Sequence, residues 1–525
     1  MSTHKIAPTN PRLASLLADV EKGNIKIPVF QREFVWTDEQ VMSLLDSIYR
    51  GYPVGSLLLW ATKERLRHER NVGGFQLPDT PEDYPVNYVL DGQQRLTTLY
   101  GVFNSDAPTK DAELASRFDV CFVPGTEEFV HTSVADHSHS INLRNIIDTT
   151  RLLPELQRFS SEHQKAVASL TERFKDYEFP VVTIKDRTNQ EVCRVFQRIN
   201  SSGTSLSTLE LLAAWTWSEQ FDLRDEIEAL LGRLADKGFE ELGEAQVMRS
   251  LASIVLDHID SDALVDVQPD LLIAGMSKLK QAMLAAIDFL EAEIKIKNVV
   301  FVPFPIMLVP LVRFFAETLK PNASQRQMLA RWFWHCAFSD RYKAGTNKSV
   351  MEDIGDMRKL ARGEEAFSNL SVAVDPAMFK KTWRINSTAA KAVICLLAQY
   401  QPRTFLTGAP VDLGSVLAAY NARQFHHIYP KGFLSGQGIQ FHESNVIANI
   451  CMLSQQDNNA ISDKDPREYF GDIPATIKPE VFGKAFIPEE FWDGSKSYSD
   501  FVARRAELLA VKAEELIALG RPKSV

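Results

Sequence analysis

Apolar residues at helical spacing open the chain. Leu13, Leu16 and Leu17 follow Asn10-Pro11, a cap followed by a proline suited to a first helical turn, and Gly23 supplies a stop. Residues 25–30 have strand character, and Thr37 with Gln40 has the spacing of a capping box for a helix carrying Val41, Leu44, Leu45 and Ile48. Gly51 ends that helix, and the apolar runs 54–60 and 88–90 predict strands, the second entering a turn at Asp91-Gly92. Thr188 with Glu191 and Ser207 with Glu210 predict two further helix starts, separated by a turn at Gly203. From about 216 to 390 the periodicity is helical almost throughout, most clearly near 223–234, 271–294, 324–339 and 387–400. After Pro410 it breaks into short strand-like and loop pieces, and the chain closes on a helix over 499–519.

This grain predicts an α+β multidomain protein: an α/β domain over 1–215, an all-α linking domain over 216–385 and a mixed domain over 386–525. Composition adds few constraints, since 45% hydrophobic and 24% charged residues are ordinary for a globular chain. Five scattered cysteines, odd in number and without a CxxC spacing, argue against a disulfide framework and a thiolate zinc site. No leader pattern opens the sequence, and the apolar run 299–312 is short for a bilayer and broken by Pro303, Pro305 and Pro310. That run reads as a buried helical segment, so the expected location is the cytoplasm with no membrane partner. The net charge of −10 gives no overall footprint for nucleic acid, although local patches decide such binding.

Polar residues concentrate where a core would not want them. Asp91-Gly92-Gln93-Gln94-Arg95 occupies a strand-to-helix turn between apolar neighbours. A helix starting near Gln94 aims backbone N–H groups at the turn, Gly92 permits close approach, Arg95 can grip a phosphate bidentately, and Asp91 can orient water or a metal. The bare residues also fit a plainer arrangement in which Asp91 caps the helix and Arg95 makes a salt bridge. Gln-Arg recurs at Gln31-Arg32 and in Phe196-Gln197-Arg198-Ile199-Asn200. Together IPVFQREFVW (27–36), DGQQR (91–95) and FQRINSSGTSLS (196–207) resemble the signatures of the ParB/sulfiredoxin-like N-terminal domain of GmrSD-type (type IV) restriction proteins. The resemblance covers about the first 215 residues. It implies nucleoside triphosphate binding and hydrolysis at Asp91, Gly92, Gln93, Gln94 and Arg95, with Gln31, Arg32, Arg198 and Asn200 as pocket partners and Asp91 and Arg95 catalytic.

Near the other end, Phe425-His426-His427-Ile428-Tyr429-Pro430 places two histidines on a short strand-like piece, where neighbours point to opposite faces. One imidazole can bind a metal while the other takes a proton from water. Further on, Ser454 can cap a short helix carrying Asn458, whose side-chain oxygen suits a hard cation, and Asn449 can hold the loop through backbone hydrogen bonds. A bare His-His pair also fits a satisfied or surface pair. The whole arrangement resembles the ββα-metal, or HNH, nuclease motif within a helical domain. That resemblance implies His426 and Asn458 as ligands of Mg²⁺ or Mn²⁺, His427 as general base and Asn449 as the structural asparagine. The Cas9 HNH domain has the same step between its two asparagines but aspartate where this chain has His426, which weakens the ligand assignment more than the base.

The expectation is a nucleotide-regulated DNA endonuclease restricting modified phage DNA, with GTP favoured over ATP. The alternative is a nucleotide-dependent sensor of DNA modification with a degenerate nuclease half. The DNA mark, the sign of the nucleotide effect and any homo-oligomer are left open.

Overall fold

A computed structural model of the chain describes residues 6–28, 34–63, 68–69, 71–72, 74–76, 85–109, 111–188, 191–192, 194–195, 208–218, 220–368, 370–417 and 425–522. They form two compact units, Met1–Arg224 and Asp225–Val525.

The first unit is built on a mixed six-stranded sheet: β1 (Ile6–Thr9), β2 (Ile25–Pro28), β3 (Leu57–Thr62), β4 (His68–Glu69), β5 (Val86–Asp91) and β6 (Val181–Ile184), in the order β1-β6-β3-β5-β2-β4. β6 runs parallel to β3 and β2 parallel to β5, while the other three pairings are antiparallel. Period-2 alternation explains why the central strands read as continuous apolar runs: both faces are covered. Leu57, Leu59 and Val89 face the main core with helices α1 (Leu13–Glu21), α2 (Asp38–Tyr49) and α3 (Gln93–Phe103). Leu58, Trp60, Tyr88 and Leu90 face a second cluster with Val192 and Leu211.

Local signals place most of these elements. Thr37 and Gln40 form the capping box of α2. Thr188 and Glu191 make the reciprocal bonds of another, with Glu191 N–H on Thr188 Oγ1 at 3.3 Å and Thr188 N–H on Glu191 Oε2 at 3.1 Å. The expected start of α1 is displaced: its N-cap is Arg12, not Asn10. The physical reason is tertiary, because Pro11 carbonyl accepts from Phe179 N–H at 3.0 Å and Arg12 bridges Glu178, which keeps residues 11 and 12 extended. Ser207 and Gly203 lie outside the described residues, and a helix occupies Thr208–Thr216.

The second unit is mostly helical. Its longer helices include α4 (Glu244–Val255), α5 (Pro269–Phe289), α6 (Leu308–Phe315), α7 (Ala323–Phe338), α8 (Thr346–Ala361) and α9 (Thr388–Gln399). The run 299–312 is mostly buried, but it forms two short 3-10 turns, Val299–Phe301 and Pro305–Met307, before α6, which itself contains Pro310. No helix of the described residues is long and apolar enough to cross a membrane. The chain then reaches β7 (Phe425–His427), α10 (Lys431–Gly436), α11 (Phe441–Ser444), β8 (Ile450–Met452), α12 (Gln455–Ile461) and the closing α13 (Tyr498–Leu519), which packs along α7.

Candidate functional site

The Asp91–Arg95 turn joins β5 to α3. Gly92 caps the helix at φ +89°, and a Cβ there would lie 2.4 Å from Leu57 Cδ2, so only glycine fits. Directly opposite, β3 carries a bulge between Leu58 and Leu59 where it pairs with Asp91. Into this gap α3 sends the Arg95 guanidinium. It donates to Val54 carbonyl at 2.8 Å, Ser56 carbonyl at 2.9 Å and Asp91 Oδ2 at 3.2 Å. A Cβ on Gly55 would come within 2.1 Å of Arg95 Nη1. The guanidinium therefore straps the start of β3 to the turn, the Asp91–Arg95 salt bridge of the plainer arrangement is present, and Gly92 takes the capping position that arrangement gave to Asp91. Gln94 Oε1 accepts from Val35 N–H at 2.9 Å, tying the segment after Gln31-Arg32 to the same turn. Gln31, Arg32, Arg198 and Asn200 themselves lie outside the described residues.

In the second unit β7 and β8 pair antiparallel, with His426 opposite Cys451 and His427 opposite Ile450, and α12 follows two residues after β8. Ser454 caps α12 by accepting from Asp457 N–H, and Asn458 sits half-buried on that helix. The two imidazoles have different surroundings. His426 Nε2 is sealed from solvent with no hydrogen-bond partner. His427 Nε2 lies 2.9 Å from Asn445 Oδ1. Burial, with His427 alongside, lowers the His426 pKa to about 4. Burial lowers His427 to about 4 as well, against the Asn445 hydrogen bond and with help from the Lys431 charge. Both rings are thus neutral at pH 7.

The loop between the strands is held from several sides. Asn449 is fully buried, accepts from Tyr429 N–H at 2.8 Å, and donates to the Tyr429 and Ser444 carbonyls, each at 3.0 Å. Arg505 of α13, also fully buried, donates to Ala448 carbonyl at 2.7 Å and to Ala485 carbonyl at 2.9 and 3.3 Å, and burial lowers its pKa to about 10. Sequence reasoning singled out neither Arg505, Asn445 nor Gly55. Each acts on a partner distant in sequence, and no local motif marks it.

Among the described residues no group of three or more His, Cys, Asp or Glu side chains converges as a metal cluster. The histidine–asparagine set of the hairpin is a different donor type. The buried, unpartnered Nε2 of His426 fits a metal ligand in its chemistry, since an imidazole nitrogen can offer a lone pair.

Comparison with known proteins bears on both units. An uncharacterized protein of Methanocaldococcus jannaschii is 24% identical over 586 aligned residues, spanning 96% of this chain and 98% of that protein. Residues 13–217 match the family described as the GmrSD restriction endonuclease, N-terminal domain, so the first unit is similar to the N-terminal part of a restriction endonuclease.

Proposed function

We propose that the protein is a metal-dependent DNA endonuclease that restricts modified phage DNA, with His427 as general base and the first unit as its nucleotide-responsive part. The observation that carries this reading is the pair of neutral imidazoles on β7, one with an unpartnered Nε2 and the other oriented by Asn445. The family match of residues 13–217 supports DNA as the substrate. So do exposed cations close by in the fold: Lys381 and Arg384 flank Thr382, which bridges Val446, and Lys431 stands over the exposed ring of Phe441.

In this reading His427 takes a proton from a water whose oxygen attacks the scissile phosphorus. The new P–O bond forms as the P–O bond to the leaving sugar oxygen breaks, and that oxygen takes its proton from solvent. When bound at His426 and Asn458, Mg²⁺ or Mn²⁺ supplies Lewis-acid stabilisation of charge on the phosphate. A pKa of about 4 makes free His427 a weak base, and the negative charge of an arriving phosphate raises it towards the working pH. Asn449 keeps the loop in place through its backbone bonds and takes no part in proton transfer.

Nucleoside triphosphate binding and hydrolysis at Asp91, Gly92, Gln93, Gln94 and Arg95, GTP ahead of ATP, completes the proposal. The engaged guanidinium makes Arg95 a brace of that turn first, so Asp91→Asn is the cleaner probe of hydrolysis. The deciding experiment is nicking of plasmid and of phage DNAs that differ only in modification, with Mg²⁺ or Mn²⁺, by wild type and His427→Ala. Cutting by wild type and a loss of about 100-fold or more in the variant is expected. Intact protein that cuts none of these DNAs leaves the sensor with a degenerate nuclease half as the better reading.

A further inference from the structure

We infer that Asn445 is the positioning residue of His427: it fixes the Nε2–H tautomer, so that Nδ1 is the nitrogen left with a basic lone pair. The inference deepens the endonuclease reading and rests on it for its kinetic consequence, though not for its geometry.

The argument starts at Trp383. Its backbone N–H donates to Asn445 carbonyl at 2.8 Å, and its backbone carbonyl accepts from Asn445 Nδ2 at 3.3 Å. A carbonyl can only accept, so the amide group of Asn445 must turn its nitrogen towards Trp383 and its oxygen towards His427. The oxygen in turn can only accept, so the imidazole nitrogen facing it at 2.9 Å must carry a hydrogen. A neutral imidazole has one N–H, which leaves Nδ1 unprotonated. Nδ1 makes no hydrogen bond among the described residues and is not among the polar atoms sealed from solvent. Reversing the amide would turn its oxygen on the Trp383 carbonyl, an acceptor facing an acceptor, and that bond would be lost.

The frame around the amide is stiff. Asn445 is 8% exposed, its N–H donates to Phe441 carbonyl at 2.9 Å, Thr382 bridges Val446, and Ile447 N–H donates to Lys381 carbonyl at 3.0 Å. The amide is therefore held by backbone on two segments and leaves the ring little freedom. The same logic that orients a histidine through its second nitrogen in other proton-transfer sites applies here, with an amide oxygen as the orienting group.

The test uses the full chain, metal-free in EDTA at pH 7, with ¹⁵N-labelled histidine. NMR shifts report which imidazole nitrogen bears hydrogen, and His427 is assigned by its loss in His427→Gln. Wild type is expected to show protonated Nε2 and lone-pair Nδ1. Asn445→Asp, which keeps an acceptor at that place, should retain this tautomer, and Asn445→Ala should give a mixture. In nicking assays Asn445→Ala should lower kcat by about 10-fold to 100-fold with KM for DNA within about twofold, and Asn445→Asp should recover part of the loss. A wild-type Nδ1–H tautomer overturns the inference, whether or not either variant folds. So does an Asn445→Ala protein with the wild-type tautomer. A wild type that never cuts DNA, yet shows the expected tautomer and its loss in Asn445→Ala, overturns the nuclease reading and leaves the positioning role standing.

Discussion

Asn449→Ala should destabilise the second unit more than His427→Ala does. The side chain is fully buried and makes three bonds to backbone. Truncation leaves Tyr429 N–H without its acceptor and Tyr429 carbonyl without its donor, whereas Ser444 carbonyl still accepts from the Tyr498 hydroxyl at 3.1 Å. Two stranded buried groups cost ~1–3 kcal/mol each, which puts the loss at roughly 2–6 kcal/mol. Urea unfolding of the full chain measures it in the transition of this unit, and hydrogen exchange of peptides spanning 425–453 localises it. His427→Ala strands one group, Asn445 Oδ1, and should cost less, about 1–3 kcal/mol. A midpoint change in Asn449→Ala worth less than about 0.5 kcal/mol, with unchanged exchange, would refute the claim that this asparagine holds the loop.

Three further outcomes follow from the same geometry. Gly55→Ala meets both a φ of +82° and a Cβ 2.1 Å from Arg95 Nη1, so it should cost about 2 kcal/mol or more in the first unit, read as a lowered Tm. In EDTA, the second unit should weaken as pH falls from 6.5 to about 4: both histidines stay neutral in the fold down to about 4, while the unfolded chain binds their protons from 6.5 downward. The contribution is fully present above 6.5, and a paired His426→Gln/His427→Gln protein should show a flatter decline in its urea midpoint between pH 7 and 5. Asn458→Ala should cut poorly at low metal concentration and recover partly as Mn²⁺ is raised, and cleavage indifferent to metal concentration would remove Asn458 from the ligand set.

Legibility in the sequence followed the range of the interaction. The box at Thr37 and Gln40 and the cap at Ser454 are settled by neighbours a few residues apart and stand where the pattern puts them, while the strands expected over 54–60 and 88–90 run over Leu57–Thr62 and Val86–Asp91. Asn10-Pro11 has an equally good local signature, yet pairing of Arg12 with Glu178 draws the chain straight past it. The hairpin histidines could be read because two stand together before a proline. Asn445 could not, since its value depends on Trp383 arriving from 62 residues away. For Arg95 the residue type suggested a fork for phosphate, and the structure shows the fork closed on two main-chain carbonyls that no pattern in 91–95 announces.

In the proposed function that closed fork would make Arg95 a shared resource between architecture and ligand. An anion gripped through the donors now on the carbonyls of Val54 and Ser56 would displace them, so capture of that kind would also release the β3 lead-in. The free energy of letting go is subtracted from the affinity, and the segment set loose is the one that an occupied turn can move. Occupancy would then be visible as faster proteolysis or hydrogen exchange at residues 54–56, a mechanical signal written into the backbone of the same unit and needing no contact beyond it.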